Sequence, residues 1–266
     1  MVELHQVVAA IYLAAGVGAL LGVVLPAPRM ARGAVWGLAL GAVVHAIAFA
    51  SLHRADPTPS LTDLPAALSL TAWLGNVFLL LLMWRLRVTG LAAIAGPVSF
   101  LAVFTAALRL PDSAASAVAA ELGAGSSPHA HVLLGSAGLA LLGLAGMAGL
   151  FFLIEHRRLK AKRPLTRSLR LPSLEALDRV NASALAVGFP ILTLGVITGM
   201  LWLQEAMGTL WSGSAHETWS AVAWGIYAGL AAARFAGHQG ARQAAASAVA
   251  GSAFLIFAVV GVGLLA

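Results

Sequence analysis

Side chains able to do chemistry are scarce in this sequence. It has eight histidines and no cysteine. Of the histidines, His45 is the one deep inside an apolar run, that from Gly33 to Leu52. The apolar runs hold no Asp, Glu, Lys or Arg away from their ends. Proton-coupled transport along a chain of carboxylates is therefore disfavoured, because ionisable groups inside a membrane are the usual carriers of such coupling. A neutral imidazole costs far less in lipid than a fixed charge, and it is a good ligand for a transition metal, haem iron included. The competing reading of His45 is a hydrogen bond to a carbonyl or a polar side chain on a neighbouring helix, and at this level both stand.

Three further features accompany His45. Gly33, Gly37 and Gly41 precede it at spacings of four, so all lie near one helix face. Such a face suits close packing of another helix, and it also suits a flat, bulky ligand. His131, at the head of another apolar run, is followed on its own face by Gly135, with Gly138, Gly143 and Gly146 beyond. Trp202, Trp211 and Trp219 surround the segment Trp211 to Trp219. Tryptophans at an interface anchor a helix in headgroups, or they form an apolar shelf suited to a planar macrocycle.

The elements that must position these groups are membrane helices. Hydrophobic residues make up 60% of the 266, charged residues 10%, and mean hydropathy is +0.91. That balance excludes a soluble globular domain. About 20 helical residues cross a hydrocarbon core of about 30 Å. Eight uncharged runs approach that length: 5–25, 33–52, 65–84, 89–108, 131–154, 184–203, 218–233 and 245–265. The expected fold class is all-α, a polytopic bundle of about eight transmembrane helices, with residues 1–266 reading as one membrane domain. No Lys or Arg precedes the first run, which argues against a cleaved signal peptide.

The formal charge of +6 looks like a nucleic-acid signal until its distribution is followed. Half of the 16 basic residues fall between Arg157 and Arg179. Alternate loops carry Arg29 and Arg32, Arg85 and Arg87, that cluster, and Arg234 and Arg242, whereas the intervening loops are acidic or neutral. The pattern predicts no nucleic-acid partner but membrane lipid. It puts the basic loops, including 155–183, in the cytoplasm and both termini outside a bacterial inner membrane. His45 then lies about 10 Å below the outer end of its helix, seven residues at about 1.5 Å each. His53, His129, His131 and His216 gather at the same outer side. A short helix is expected over 113–122, and Pro172-Ser173 should start a helix that runs on into the sixth span. Pro97 and Pro190 should bend their spans.

Two ordered stretches carry a resemblance. Leu171-Pro-Ser-Leu-Glu-Ala-Leu-Asp178, followed by Gly188-Phe-Pro-Ile-Leu-Thr-Leu-Gly-Val-Ile-Thr-Gly199, is similar to the cytoplasmic helix and following span of the cytochrome c assembly membrane proteins, in their CcsA and HemX-like branch. His131 resembles that family's outward-facing axial haem ligand, and His45 its histidine within an early span. The family's tryptophan-rich loop, W-x-W-D-P-K-E-T-W, is matched at Trp211, Glu217, Thr218 and Trp219, while Gly213, Ser214, Ala215 and His216 replace its centre. Two further family histidines have no counterpart, Ala232 or a neighbour standing at one of them.

The resemblance implies a haem-binding protein of cytochrome c assembly or haem handling, accessory rather than a complete synthase. Haem b would be held in the outer half of the membrane, with His45 and His131 as axial ligands and Trp211 and Trp219 against the macrocycle; His129 or His216 would be the substitute for a misplaced partner. Its partners would be apocytochrome c or other assembly proteins. The alternative it implies is a HemX-like regulator or scaffold of haem biosynthesis, contacting a haem-biosynthesis enzyme through the basic loop.

Overall fold

The computed structural model describes residues 2–25, 27–52, 54, 61, 63–109, 126–161 and 171–261. Among them it contains eight α-helices and no strand: α1 Val2–Val24, α2 Pro28–Leu52, α3 Leu64–Arg85, α4 Ala92–Arg109, α5 Ser126–Lys160, α6 Leu174–Met207, α7 Ala215–Phe235 and α8 Ala241–Ile256. A 3-10 turn, Thr89–Leu91, leads into α4, and a π-helical turn, Phe257–Gly261, follows α8. The chain is a polytopic all-α membrane protein. Its helices are apolar on their outward faces as well as their inner ones, Val43 and Leu101 remaining more than half exposed, as helices facing lipid must be. The expected helix over 113–122, His53 and the basic residues between 162 and 170 lie outside the described residues.

Among the described residues, seven helical stretches are long and apolar enough to cross a membrane. The exception among the eight helices is α7, diluted by Trp219, Trp224, Tyr227 and two glycines. Polar contacts seat it instead: Trp224 Nε1 donates to Thr193 Oγ1 of α6 at 3.0 Å, and the buried Tyr227 hydroxyl lies 3.4 Å from Ser252 Oγ of α8. Helices α5 and α6, of 35 and 34 residues, outrun a hydrocarbon core at about 1.5 Å per residue. The start expected at Pro172-Ser173 is present: Ser173 caps α6 by accepting from the Ala176 amide at 3.2 Å, and the helix continues without a break to Met207. Pro97 and Pro190 both sit inside helices.

Among the described residues, the helix ends that border Arg29, Arg85, Arg157 and Arg234 make up one end of the bundle, the basic end. At the basic end, Gly90 faces Val23 and Pro172, and Arg234 donates to both Asp178 carboxylate oxygens at 2.8 and 2.9 Å. At the other end are His5 beside His45, and His131 beside Gly199.

Glycine decides two of the helix crossings. At α1 and α4, a methyl group on Gly96 would sit 2.5 Å from Gly16 Cα and 2.7 Å from the Tyr12 carbonyl oxygen, so the backbones touch there. The α5–α6 seam runs in register: Gly188 against Leu141, Leu192 against Gly138, Gly195 against Gly135, and Gly199 against His131. This is small-residue packing of antiparallel helices, driven by close van der Waals contact because lipid offers no hydrophobic gain.

Candidate functional site

His45 has no exposed surface. Its Nε2 lies 2.9 Å from Ser69 Oγ of α3 and its Nδ1 3.3 Å from the Tyr12 hydroxyl of α1. One ring face stacks on Phe49, with centroids 4.8 Å apart and planes 12° from parallel. Its edge meets His5, which is also buried, at 6.0 Å. Asn76 extends the cluster, donating to Ser99 Oγ at 2.7 Å and to the Ala72 carbonyl at 2.9 Å. Of the two readings open for His45, the structure displays the hydrogen-bonded one. Both ring nitrogens are engaged, and a ligand at either would have to displace a hydroxyl. The glycine face before it is likewise taken by a helix, since Gly37 meets Ala15 and Gly41 meets the Tyr12 ring of α1.

His131 is held differently. It sits on the second turn of α5, and its Nδ1–H donates to the Gly195 carbonyl of α6 at 2.8 Å. A neutral imidazole that donates from Nδ1 carries its lone pair on Nε2, and a backbone carbonyl in this role is the usual orienting partner of a metal-ligating histidine. Gly199 makes room for the ring: a methyl group there would lie 2.6 Å from His131 Nδ1. The indole of Trp202, one turn further along α6, lies 6.1 Å from the imidazole, with planes 33° apart.

Residues two apart on a helix point about 200° from one another. His131 therefore faces α6, whereas His129 lines an apolar cleft of about 280 Å³ with Phe49, Leu70, Trp73 and Leu133. On the α3 side Ser136 of α5 also reaches the Ala67 carbonyl, at 3.4 Å. The structure thus places His45 and His131 in separate environments, on the α3 side and the α6 side of α5, and does not bring them together as a pair. The cleft that borders Phe49 is at the lower edge of the roughly 300–1,000 Å³ typical of ligand pockets.

His216, at the start of α7, lies within electrostatic range of His131. Desolvation and then the His131 ring disfavour its charged form, Glu217 opposing them, and the net effect lowers its pKa below the ordinary value. The loop that presents it is tied by Glu217, whose carboxylate accepts from the Ser212 amide at 2.7 Å, the Gly213 amide at 3.2 Å and the Ser212 hydroxyl. Desolvation works against the carboxylate, yet these bonds, with the Ser214 hydroxyl, hold Glu217 below the usual range. Ser214 also caps α7.

The two tryptophans expected to form a shelf, Trp211 and Trp219, both keep exposed surface at this end of the bundle. Trp219 packs between Phe254 and Phe257, at 6.0 and 5.4 Å, while Trp211 is a half-exposed loop residue. The aromatic neighbour of His131 is Trp202. The sequence left Trp202 open between interface anchoring and an aromatic shelf, because position alone carries no information about what a side chain faces. His5 and Tyr12 were also missed; the available signal was their seven-residue spacing, which puts both on one face of α1.

Among known proteins, a family model described as "Cytochrome C assembly protein" matches residues 61–266. The match begins after α2, so His5, Tyr12 and His45 precede it. Cytochrome c biogenesis protein CcsA of Prochlorococcus marinus is 39% identical over 98 residues, covering 37% of this chain and 31% of the relative. CcsA of Synechocystis sp. is 33% identical over 133 residues, 50% of this chain and 39% of the relative. CcsA of Guillardia theta is 29% identical over 162 residues, 54% and 53% respectively. The chain spans about a third to a half of the length of these curated relatives.

Proposed function

The chain belongs to the cytochrome c assembly protein family, and from that premise we propose that it is a haem-handling membrane protein that holds haem b at the non-basic end of α5 and α6, with His131 as an axial ligand. His216 is the second imidazole that would serve as a ligand, and Trp202, 6.1 Å from the His131 ring, would offer an aromatic face beside the group. The observation that carries this reading is the hydrogen bond from His131 Nδ1 to the Gly195 carbonyl, which leaves Nε2 as the donor atom. Among the described residues Nε2 makes no hydrogen bond of its own. The site fits haem iron by the chemistry of its donors, neutral imidazoles beside apolar and aromatic side chains.

Bound haem supplies a ligatable iron and reactive vinyl groups. The residues of this chain bind and orient it; lacking cysteine, the chain leaves any thiol to an apocytochrome c or another assembly protein. By the distribution of Arg and Lys, the basic end faces the cytoplasm of a bacterial inner membrane and the haem end faces outward. His45 is assigned a structural role in the α1–α3 cluster. The regulatory alternative gains no observation, because much of the basic loop lies outside the described residues.

The test is optical and paramagnetic resonance spectroscopy of protein purified after expression with ample haem. A Soret band that is lost or strongly weakened in His131→Ala, and retained in His45→Ala, is expected. Absence of the band in the parent protein, or its persistence unchanged in His131→Ala, overturns the reading.

A further inference from the structure

The Gly188–Gly199 segment of α6 has a second role beyond packing. Along the α5–α6 seam, Gly188 of α6 receives leucine side chains and Gly195 the α5 backbone, whereas at the last position Gly199 receives an imidazole. One turn deeper, the Gly195 carbonyl accepts from His131 Nδ1 at 2.8 Å and from Thr198 Oγ1 at 2.9 Å. Thr198 Oγ1 lies 2.9 Å from the Leu194 carbonyl as well, so its single proton is shared between the two carbonyls. From this shared acceptor and the notch above it we infer that Gly199 and Thr198 are positioning residues for His131: Gly199 sets where the ring lies and which nitrogen carries the proton, and Thr198 sets how strongly that proton is held.

Gly199 acts sterically and Thr198 electrostatically. A methyl group at 199 would approach Nδ1 and Cε1 to 2.6 and 2.8 Å, well inside van der Waals contact, so the ring must swing away and lose its carbonyl. Because the atom met is a side chain rather than backbone, the helix pair itself can stay packed. At Gly195, two donors share one oxygen, and each weakens what the other receives. Removing the threonine hydroxyl leaves the carbonyl a better acceptor for His131, which makes the imidazole a stronger electron donor through Nε2. For a ligated iron, a stronger donor stabilises the oxidised state.

The notch is independent of haem, and only the iron readouts rest on the proposed function. The experiment is nitrogen NMR of the His131 ring in nanodiscs, followed by haem titration and redox potentiometry, on the parent protein, Gly199→Ala and Thr198→Val. In the parent, the Nδ1–H tautomer is expected. Gly199→Ala should lose that tautomer preference and bind haem about 10- to 100-fold more weakly, the usual effect of removing an orienting partner. Thr198→Val should keep the tautomer and the affinity and show a lower midpoint potential. An Nε2–H tautomer in the parent overturns the inference, as does a Gly199→Ala protein with unchanged tautomer. An unmoved or raised potential in haem-loaded Thr198→Val removes Thr198 from the device. If the tautomer responds to Gly199→Ala while no variant binds haem, the notch is upheld and the haem reading fails.

Discussion

Ser69 Oγ lies 2.9 Å from His45 Nε2, across the contact between α2 and α3, on an imidazole with no exposed surface. A ligand at this nitrogen would have to displace the hydroxyl. Interhelical hydrogen bonds in membranes average about 0.6 kcal/mol and reach about 1.7. Ser69→Ala is therefore expected to destabilise the protein by about 0.6 kcal/mol, and His45→Ala by more, since it also removes the ring stacked on Phe49. Unfolding from mixed micelles measures both. A His45→Ala protein as stable as the parent contradicts the structural assignment.

Gly96 tests the α1–α4 crossing. Its missing side chain admits the Gly16 backbone, which cannot rotate away as a side chain can. Gly96→Ala should cost about 1–3 kcal/mol, the range for overpacking. Gly225 of α7 faces open space, so Gly225→Ala should cost nothing. Comparing the melting temperatures of the two variants checks both statements at once.

Arg234 and Asp178 tie α7 to α6 at the basic end through two bonds of 2.8 and 2.9 Å. Arg234 also donates to the Gln239 carbonyl at 3.2 Å, reaching into the turn before α8. Truncating one partner of a fully buried pair costs about 3–5 kcal/mol. The Asp178 side chain keeps 28% of its surface, so Arg234→Ala should cost less, about 1–3 kcal/mol. A double-mutant cycle with Asp178→Asn isolates the pair, and a coupling indistinguishable from zero counts against the tie.

Acid should loosen the loop that presents His216. Glu217 has a folded pKa lowered from the ordinary 4.5, so its contribution to loop order is fully present above that value and is lost as pH falls through the lower folded one. Fluorescence of Trp211 against pH reports it. Glu217→Gln should remove the transition, and a transition that persists in that variant assigns it to another group.

The class of fold was legible in the run lengths, because a bilayer imposes a length on any helix that crosses it. The helix start at Ser173 was legible for a local reason: a capping hydroxyl and the amide it accepts are three residues apart. The seam was half legible. The stretch from Gly188 to Gly199 was recognisable as a motif, but nothing in its spacing says that Gly199 takes a histidine while Gly195 takes a backbone.

The same boundary runs through the histidines. Sequence alone placed His45 deep in an apolar helix and His129, His131 and His216 near helix ends at one end of the bundle, since both follow from where the apolar runs begin and stop. Which of them keeps a lone pair for a ligand was decided only by tertiary structure. His45 finds its partners 33 and 24 residues away, at Tyr12 and Ser69, and His131 finds its own 64 residues away, at Gly195. Contacts of that separation depend on how far each helix is rotated about its axis, and the apolar run that puts a helix in lipid is nearly the same on every face.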